Sequence, residues 1–185
     1  MRSASTVYVT SAVEYDEHKH RLKHSACPHC RAVGSLIRHG YLRGYGASIV
    51  GKIQHGWRVF CSNRGRQAGC GRTYAIVLAH HLYRRLVDAQ RLWKFLEGIL
   101  GGASIKQAWE SVASPFCMET GYKLWAAFIR NQSAVRIKLH AVVRPVATAL
   151  NPLRQTIEHL KSGFPQDACP VAAFQTAFQD AFLAR

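Results

Sequence analysis

Four cysteines constrain this chain more than any other feature. Cys27 and Cys30 sit two residues apart in "CPHC"; thirty residues later Cys61 opens "CSNRGRQAGC", which closes at Cys70 after eight more. Two thiolates on a tight turn, with Pro28 helping to set it, point at one ion. A tetrahedral Zn²⁺ takes two further soft ligands, and a returning hairpin would deliver them. The second pair is wider than a two-residue knuckle, but Gly65 and Gly69 let the intervening residues loop out as an insert. The competing readings are four unrelated reduced thiols, or a redox pair at Cys27 and Cys30. The redox pair wants a βαβ context, which the charged loop and short strands around it do not supply. His29 lies between the first two thiols, and His39 or His55 could stand in for Cys61. Cys117 and Cys169 fall in helical stretches and read as buried thiols.

The segment around these cysteines is made of β-formers and glycine. "GWRVFC" (56–61) and "RTYAIVL" (72–78) read as strands from their branched and aromatic residues. "SLIRHGYLRGY" supplies Leu36, Ile37, Tyr41, Leu42 and Tyr45, with Gly40, Gly44 and Gly46 as turn points. "TVYVTSAVEY" near the start reads as a short strand. "DEHKHRLKH" reads as a solvated approach, with His18, His20 and His24 as surface histidines before metal ligands. A sheet this small cannot bury a large core, so a metal staple would serve it.

From about residue 80 the pattern turns helical. "HLYRRLVDAQRLWKFLEGILGG" spaces Leu82, Leu86, Leu92, Trp93, Leu96 and Leu100 as a helix that ends at a glycine pair. Ser104 with Gln107 fits a capping box at the start of "SIKQAWESV". Ser114 and Pro115 suit an N-cap and first turn for a helix carrying Leu124, Trp125, Phe128, Ile129, Val135 and Leu139, with a break expected near Asn131–Ser133. Pro145 ends that run. A further helix is expected to begin at Asn151–Pro152, and a last one carries Phe174, Phe178 and Phe182 as a packing stripe. The fold class is therefore α+β: an N-terminal arm (1–24), a small antiparallel metal ribbon (25–79), an all-α region (80–144) and a C-terminal helical hairpin (145–185).

Charge narrows the function. Lys and Arg number 25 against 10 Asp and Glu, a formal net charge of +15 in 185 residues. Such an excess favours a polyanionic partner, nucleic acid first, because basic side chains release counterions from phosphates. No apolar run approaches the ~18 residues of a membrane helix. The first twenty residues lack an apolar signal core, which leads to an intracellular, nucleoid-associated expectation.

The string "CPHC…GSLIRHGYLRG…WRVFC…GCGRTY" resembles the N-terminal zinc ribbon of bacterial insertion-sequence transposases and their short regulatory proteins. Those segments pair C-P-x-C with a glycine-arginine hairpin and an aromatic-x-C-x-x-C-G-[RK]-[ST]-[FY] return, and a helix-turn-helix commonly follows. The resemblance covers roughly residues 25–140 and departs from the pattern in the eight-residue gap. It implies Cys27, Cys30, Cys61 and Cys70 as Zn²⁺ ligands, residues 80–144 as a helix-turn-helix, double-stranded DNA as partner, and association with a transposase or recombinase or with a second copy as a homodimer. It does not carry over catalysis. An acidic-triad transposase needs three carboxylates on an α/β core, whereas the acids after the ribbon are Asp88, Glu97, Glu110, Glu119, Glu158, Asp167 and Asp180, with no run of core strands among them.

In a helix-turn-helix the second helix enters the major groove. "SIKQAWESV" would brace, and Ser114–Arg130 would read bases through Glu119, Thr120, Tyr122 and Lys123, with Arg130, Arg136, Lys138 and Arg144 on phosphates. The ribbon adds Arg31, Arg38, Arg43, Lys52, Arg58, Arg64, Arg66 and Arg72, of which Arg64 and Arg66 ride on the insert. The expected function is a DNA-binding accessory or regulator of a mobile element, not an enzyme. The competing readings are a truncated transposase or nuclease, and a protein-interaction adaptor whose ribbon is purely structural.

Overall fold

The computed structural model describes residues 6–45, 51–83, 85–145 and 151–183. The chain is α+β, a four-stranded sheet followed by helices. The strands are β1 (Thr6–Val9), β2 (Leu36–Tyr45), β3 (Lys52–Cys61) and β4 (Thr73–Leu78), in the order β1-β4-β3-β2. β2, β3 and β4 are antiparallel, as expected, but β1 pairs in parallel with β4, Thr6 opposite Ala75 through Val9 opposite Leu78.

Alternation along the strands sorts the side chains onto two faces. Trp57, Val59 and Cys61 of β3 share one face with Tyr74 and Ile76 of β4, and close a core with Val9, Leu22, Cys27 and Leu36. Tyr8, Ala75 and Val77 point to the other face, where Ala172 and Ala181 from the C-terminal region pack on them.

The N-terminal strand is shorter than "TVYVTSAVEY". It stops at Val9, and α1 (Ala12–Arg21) follows, so "DEHKHRLKH" is mostly helix. The Ser11 side chain accepts the Glu14 N–H, and the Glu14 carboxylate accepts the Thr10 N–H at 2.7 Å. This reciprocal cap holds a helix that buries no residue. Gly40 and Gly44 are not turns either: β2 runs through both, with register irregularities between Arg38 and Gly40 and between Leu42 and Arg43. Gly46 lies outside the described residues.

The helices are α2 (Ala89–Leu100), α3 (Ile105–Ser111), α4 (Met118–Leu139), α5 (Pro152–Gly163) and α6 (Pro170–Phe178). α2 starts eight residues later than the apolar spacing suggests. Asp88 caps it by accepting the Arg91 N–H at 2.7 Å, and the preceding stretch is held by a bridge between His81 and Asp88. The Ser104–Gln107 capping box forms as expected, and Asn151 Oδ1 accepts the Leu153 N–H to start α5 at Pro152; residues 146–150 lie outside the described residues.

α4 departs from expectation at both ends of its reading. Ser114 is not its cap; the Ser114 hydroxyl accepts the Phe116 N–H inside a turn that Trp109 Nε1 holds by donating to the Phe116 carbonyl. The cap position is Cys117, which is exposed, so this thiol is not buried; Cys169 is half-buried. The helix then runs unbroken through Asn131, whose amide donates to the Ala127 carbonyl at 2.8 Å and so accommodates a polar residue mid-helix. Gly121 lets α4 approach α3, since a Cβ there would stand 2.8 Å from Trp109 Cγ.

One core joins α2 to α6, including Leu92, Phe95, Trp109, Phe128, Leu160 and Phe174. Phe182 is not on the α6 stripe: α6 ends at Phe178, Gln179 turns left-handed, and Phe182 returns to stack on Phe128 and meet Phe174 edge-on. The same turn ties the bundle to the sheet. The Gln179 side-chain amide accepts the Tyr8 N–H at 2.8 Å and donates to the Tyr8 carbonyl at 3.1 Å, completing the open edge of β1 as a strand would. Gln175, fully buried, donates to the Ala79 and His81 carbonyls.

Candidate metal centre

The four cysteines converge. Their sulfurs all lie within 4.8 Å of one another, Cys27 to Cys70 at 3.9 Å and Cys30 to Cys61 at 3.7 Å. A disulfide would need about 2.05 Å, and all four are free thiols. Four thiolates at ~2.3 Å from a tetrahedral ion stand about 3.8 Å apart. The site could therefore hold a metal ion. Among the described residues it is the one group of His, Cys, Asp and Glu whose ligand atoms meet in this way. His29, His39, His55, His18, His20 and His24 take no part.

Local backbone explains the convergence. Cys27 accepts the Arg31 N–H at its carbonyl and donates its own N–H to Ala32, closing the first turn, with Arg31 in the left-handed region at φ 64°. The second turn is the one that looked too wide. Gly69 donates to the Ser62 carbonyl at 2.9 Å and Gly71 donates to the Cys61 carbonyl at 2.9 Å. Ser62 and Gly69 are thus neighbours in space, and Asn63–Ala68 bulge outward as a side loop. Two glycines make this possible. A Cβ at Gly69 would lie 2.1 Å from the Ser62 oxygen and 2.8 Å from Cys61 Sγ, and Gly71 has φ +68°.

The thiols differ in electrostatics. Cys30 is exposed, and its thiol is lowered to about 7, chiefly by a hydrogen bond from the Ala32 backbone. Cys61 is buried, and burial pushes its thiol up to about 12. Backbone N–H groups already face the sulfurs: Cys70 N–H points at Cys61 Sγ (3.3 Å) and His29 N–H at Cys27 Sγ (3.4 Å). Such donors stabilise thiolate, and a divalent cation would offset the remaining negative charge.

The basic residues divide into three groups. Arg38, Arg43, Arg58, Arg64, Arg66 and Arg72 are exposed on the sheet and its side loop, and none pairs with a carboxylate among the described residues. Arg38 and Arg43 both lie over the Tyr41 ring (5.4 and 5.9 Å), and Arg64 lies over Phe60 (6.0 Å). On α4, Thr120 is half-buried, Arg130 is exposed, and Lys123 is exposed but bonded to Glu119 at 2.8 Å. Arg136 and Lys138 are half-buried and engaged internally, Arg136 with Gln155 and Lys138 with Asp180. These last two serve to join α4 to α5 and to the C-terminal turn.

Sequence reasoning missed a second assembly of titratable groups. His55 and His81 stack at 3.9 Å and 3° between planes, and His80 lies 4.0 Å from His81. The adjacent "HH" at 80–81 was visible, but its meeting with His55 depends on the pairing of β3 with β4. No family model, curated protein or solved structure matches the chain. No helix among the described residues is long and apolar enough to cross a membrane.

Proposed function

We propose that the protein is a zinc-dependent, double-stranded-DNA-binding accessory or regulatory protein of a mobile genetic element. The observation that carries this reading is the juxtaposition of a four-cysteine centre with six exposed arginines that lack acidic partners among the described residues. The reading takes Zn²⁺ as the ion, because four thiolates at tetrahedral spacing suit a soft, redox-inert cation. The ion would set the sheet, and the sheet would present Arg38, Arg43, Arg58, Arg64, Arg66 and Arg72 to phosphates, which position the protein without reading sequence.

In a helix-turn-helix reading α3 braces and α4 reads bases. Their close crossing at Gly121 and Trp109 suits that role, and Glu119, Thr120, Tyr122, Lys123 and Arg130 lie on the part of α4 that would face the groove. The resemblance to insertion-sequence zinc ribbons supplies the mobile-element context. Binding is favoured over catalysis because, among the described residues, no carboxylates gather into a group that could hold a metal ion.

The test is a titration of duplex DNA with the zinc-loaded protein at rising salt. Affinity should fall steeply, log K against log salt sloping by about −0.9 per phosphate neutralised. A slope near zero, or equal binding after chelation, would sink the proposal. A second reading, an adaptor or a homodimer, is favoured by Tyr122, Ile129 and Ile137, which leave α4 with an apolar exposed stripe (50%, 43% and 73%). A chain that stays monomeric in light scattering and captures no recombinase would remove it.

A further inference from the structure

A cavity of about 510 Å³ opens where the sheet meets the helices, between β3 and the start of α2. Small-molecule sites run from roughly 300 to 1,000 Å³. We propose that this cavity binds a phosphate-bearing ligand of nucleotide size.

Its lining has two parts. The polar part gathers His55, His80, His81, Arg85, Arg91 and Lys94. Asp88 is the one carboxylate on the wall, and Arg91 already engages it at 2.7 Å. Arg85 and Lys94 have no carboxylate partner among the described residues. Two unneutralised cations facing one concave space are complementary to an anion.

His81 is a second, independent pointer. It is 8% exposed, and its ring stacks on His55 and lies against His80. Burial lowers it to about 3 and also lowers His80, so both rings are neutral at pH 7. A neutral imidazole still carries one N–H donor, and a phosphate oxygen in the cavity would accept from it. A metal ion is the poorer occupant, because the ligand atoms of these histidines and Asp88 do not converge as those of the four cysteines do.

The apolar part calls for more than a bare phosphate. Ile53 and Leu86, exposed by 45% and 49%, line the cavity together with Val112. Together with the stacked imidazoles they suit the flat, weakly polar body of a base. The ligand could be a free nucleotide or the phosphorylated end of a strand. The chemistry recognised is the same, and the site stands apart from the arginines on which duplex binding rests.

The experiment is isothermal titration calorimetry on the full-length, zinc-loaded protein. The probes are inorganic phosphate, adenosine, adenosine monophosphate and a short single-stranded oligonucleotide with and without a 5′-phosphate. Adenosine monophosphate should bind at least about tenfold tighter than adenosine and tighter than phosphate. Arg85→Gln and Lys94→Gln should each weaken it by roughly tenfold, the loss of one charged hydrogen bond. A preference for the 5′-phosphorylated oligonucleotide over the mononucleotide assigns the phosphate to a strand end, and the reverse assigns it to a free nucleotide; either upholds the site. No binding by any phosphorylated probe at millimolar concentration would overturn it, as would equal binding of adenosine or unchanged affinity in both variants. Duplex binding measured alongside separates this site from the proposed function, since either can fail alone.

Discussion

The sheet and the helical body solve the same problem by different means. The helices bury one continuous core in which Trp93, Phe95, Trp109, Phe128, Phe174 and Phe182 supply large apolar area. The sheet's main core holds Val9, Leu36, Trp57, Val59 and Ile76, and two of its fully buried members are Cys27 and Cys61. Buried thiols can pack as small hydrophobes, but four that converge also offer a metal site. The helical body should hold itself together by packing, whereas the sheet should depend on an ion.

Removing the ion attacks that difference most strongly. Structural zinc sites supply on the order of 10 kcal/mol of binding free energy. Chelation, or Cys61→Ser, should strip amide-exchange protection from β2 and β3 while α2 and α4 keep theirs. Acid should act in the same direction. The thiolates are the ligands, so protons compete with metal, and retention should weaken as pH falls below about 7, where even the Cys30 thiol protonates. A sheet equally protected with and without metal would erase the contrast.

Phe128→Ala tests the other side. Phe128 is fully buried, in ring contact with Trp125 and Phe182. Truncation should cost about 3–5 kcal/mol, read as a lower thermal midpoint of the helical signal, with the metal stoichiometry unchanged. Loss of metal in this variant would mean that the two regions fold as one unit.

The mildest change is excision of Asn63–Ala68. Because Gly69 N–H already meets the Ser62 carbonyl, joining Ser62 to Gly69 leaves a two-residue spacing between Cys61 and Cys70. Metal content should not change. The DNA salt slope should shrink by about two units, for the loss of Arg64 and Arg66. Failure to bind metal would show that the side loop helps to shape the centre.

Much of this was legible locally. The capping box at Ser104 and Gln107, the start of α5 at Asn151 and the strand at Thr73–Leu78 are each set by neighbours a few residues apart. Legible too, but missed, was the Ser11 and Glu14 pair that starts α1. Other features had no local signal. Continuous β2 runs through Gly40 and Gly44 because β3 pairs along its length, and Gly44 faces His55 so closely that a Cβ would lie 2.7 Å from the ring. Asn131 and Ser133 do not break α4, because the apolar residues on either side are pinned in one core.

By itself the sequence determined which thiols could meet one ion, where α3 and α5 begin, and that the surface would be strongly cationic. These follow from residue type and short spacing, since caps, turns and formal charge need no distant partner. Tertiary structure alone decided that Ser62 and Gly69 would touch and restore a narrow turn. It also made the Gln179 amide a stand-in for a strand beside Tyr8, and stacked His55 on His81 at the mouth of a cationic cavity. Each of those contacts joins residues through pairing or packing, and its geometry exists only once the sheet and the helices have closed on each other.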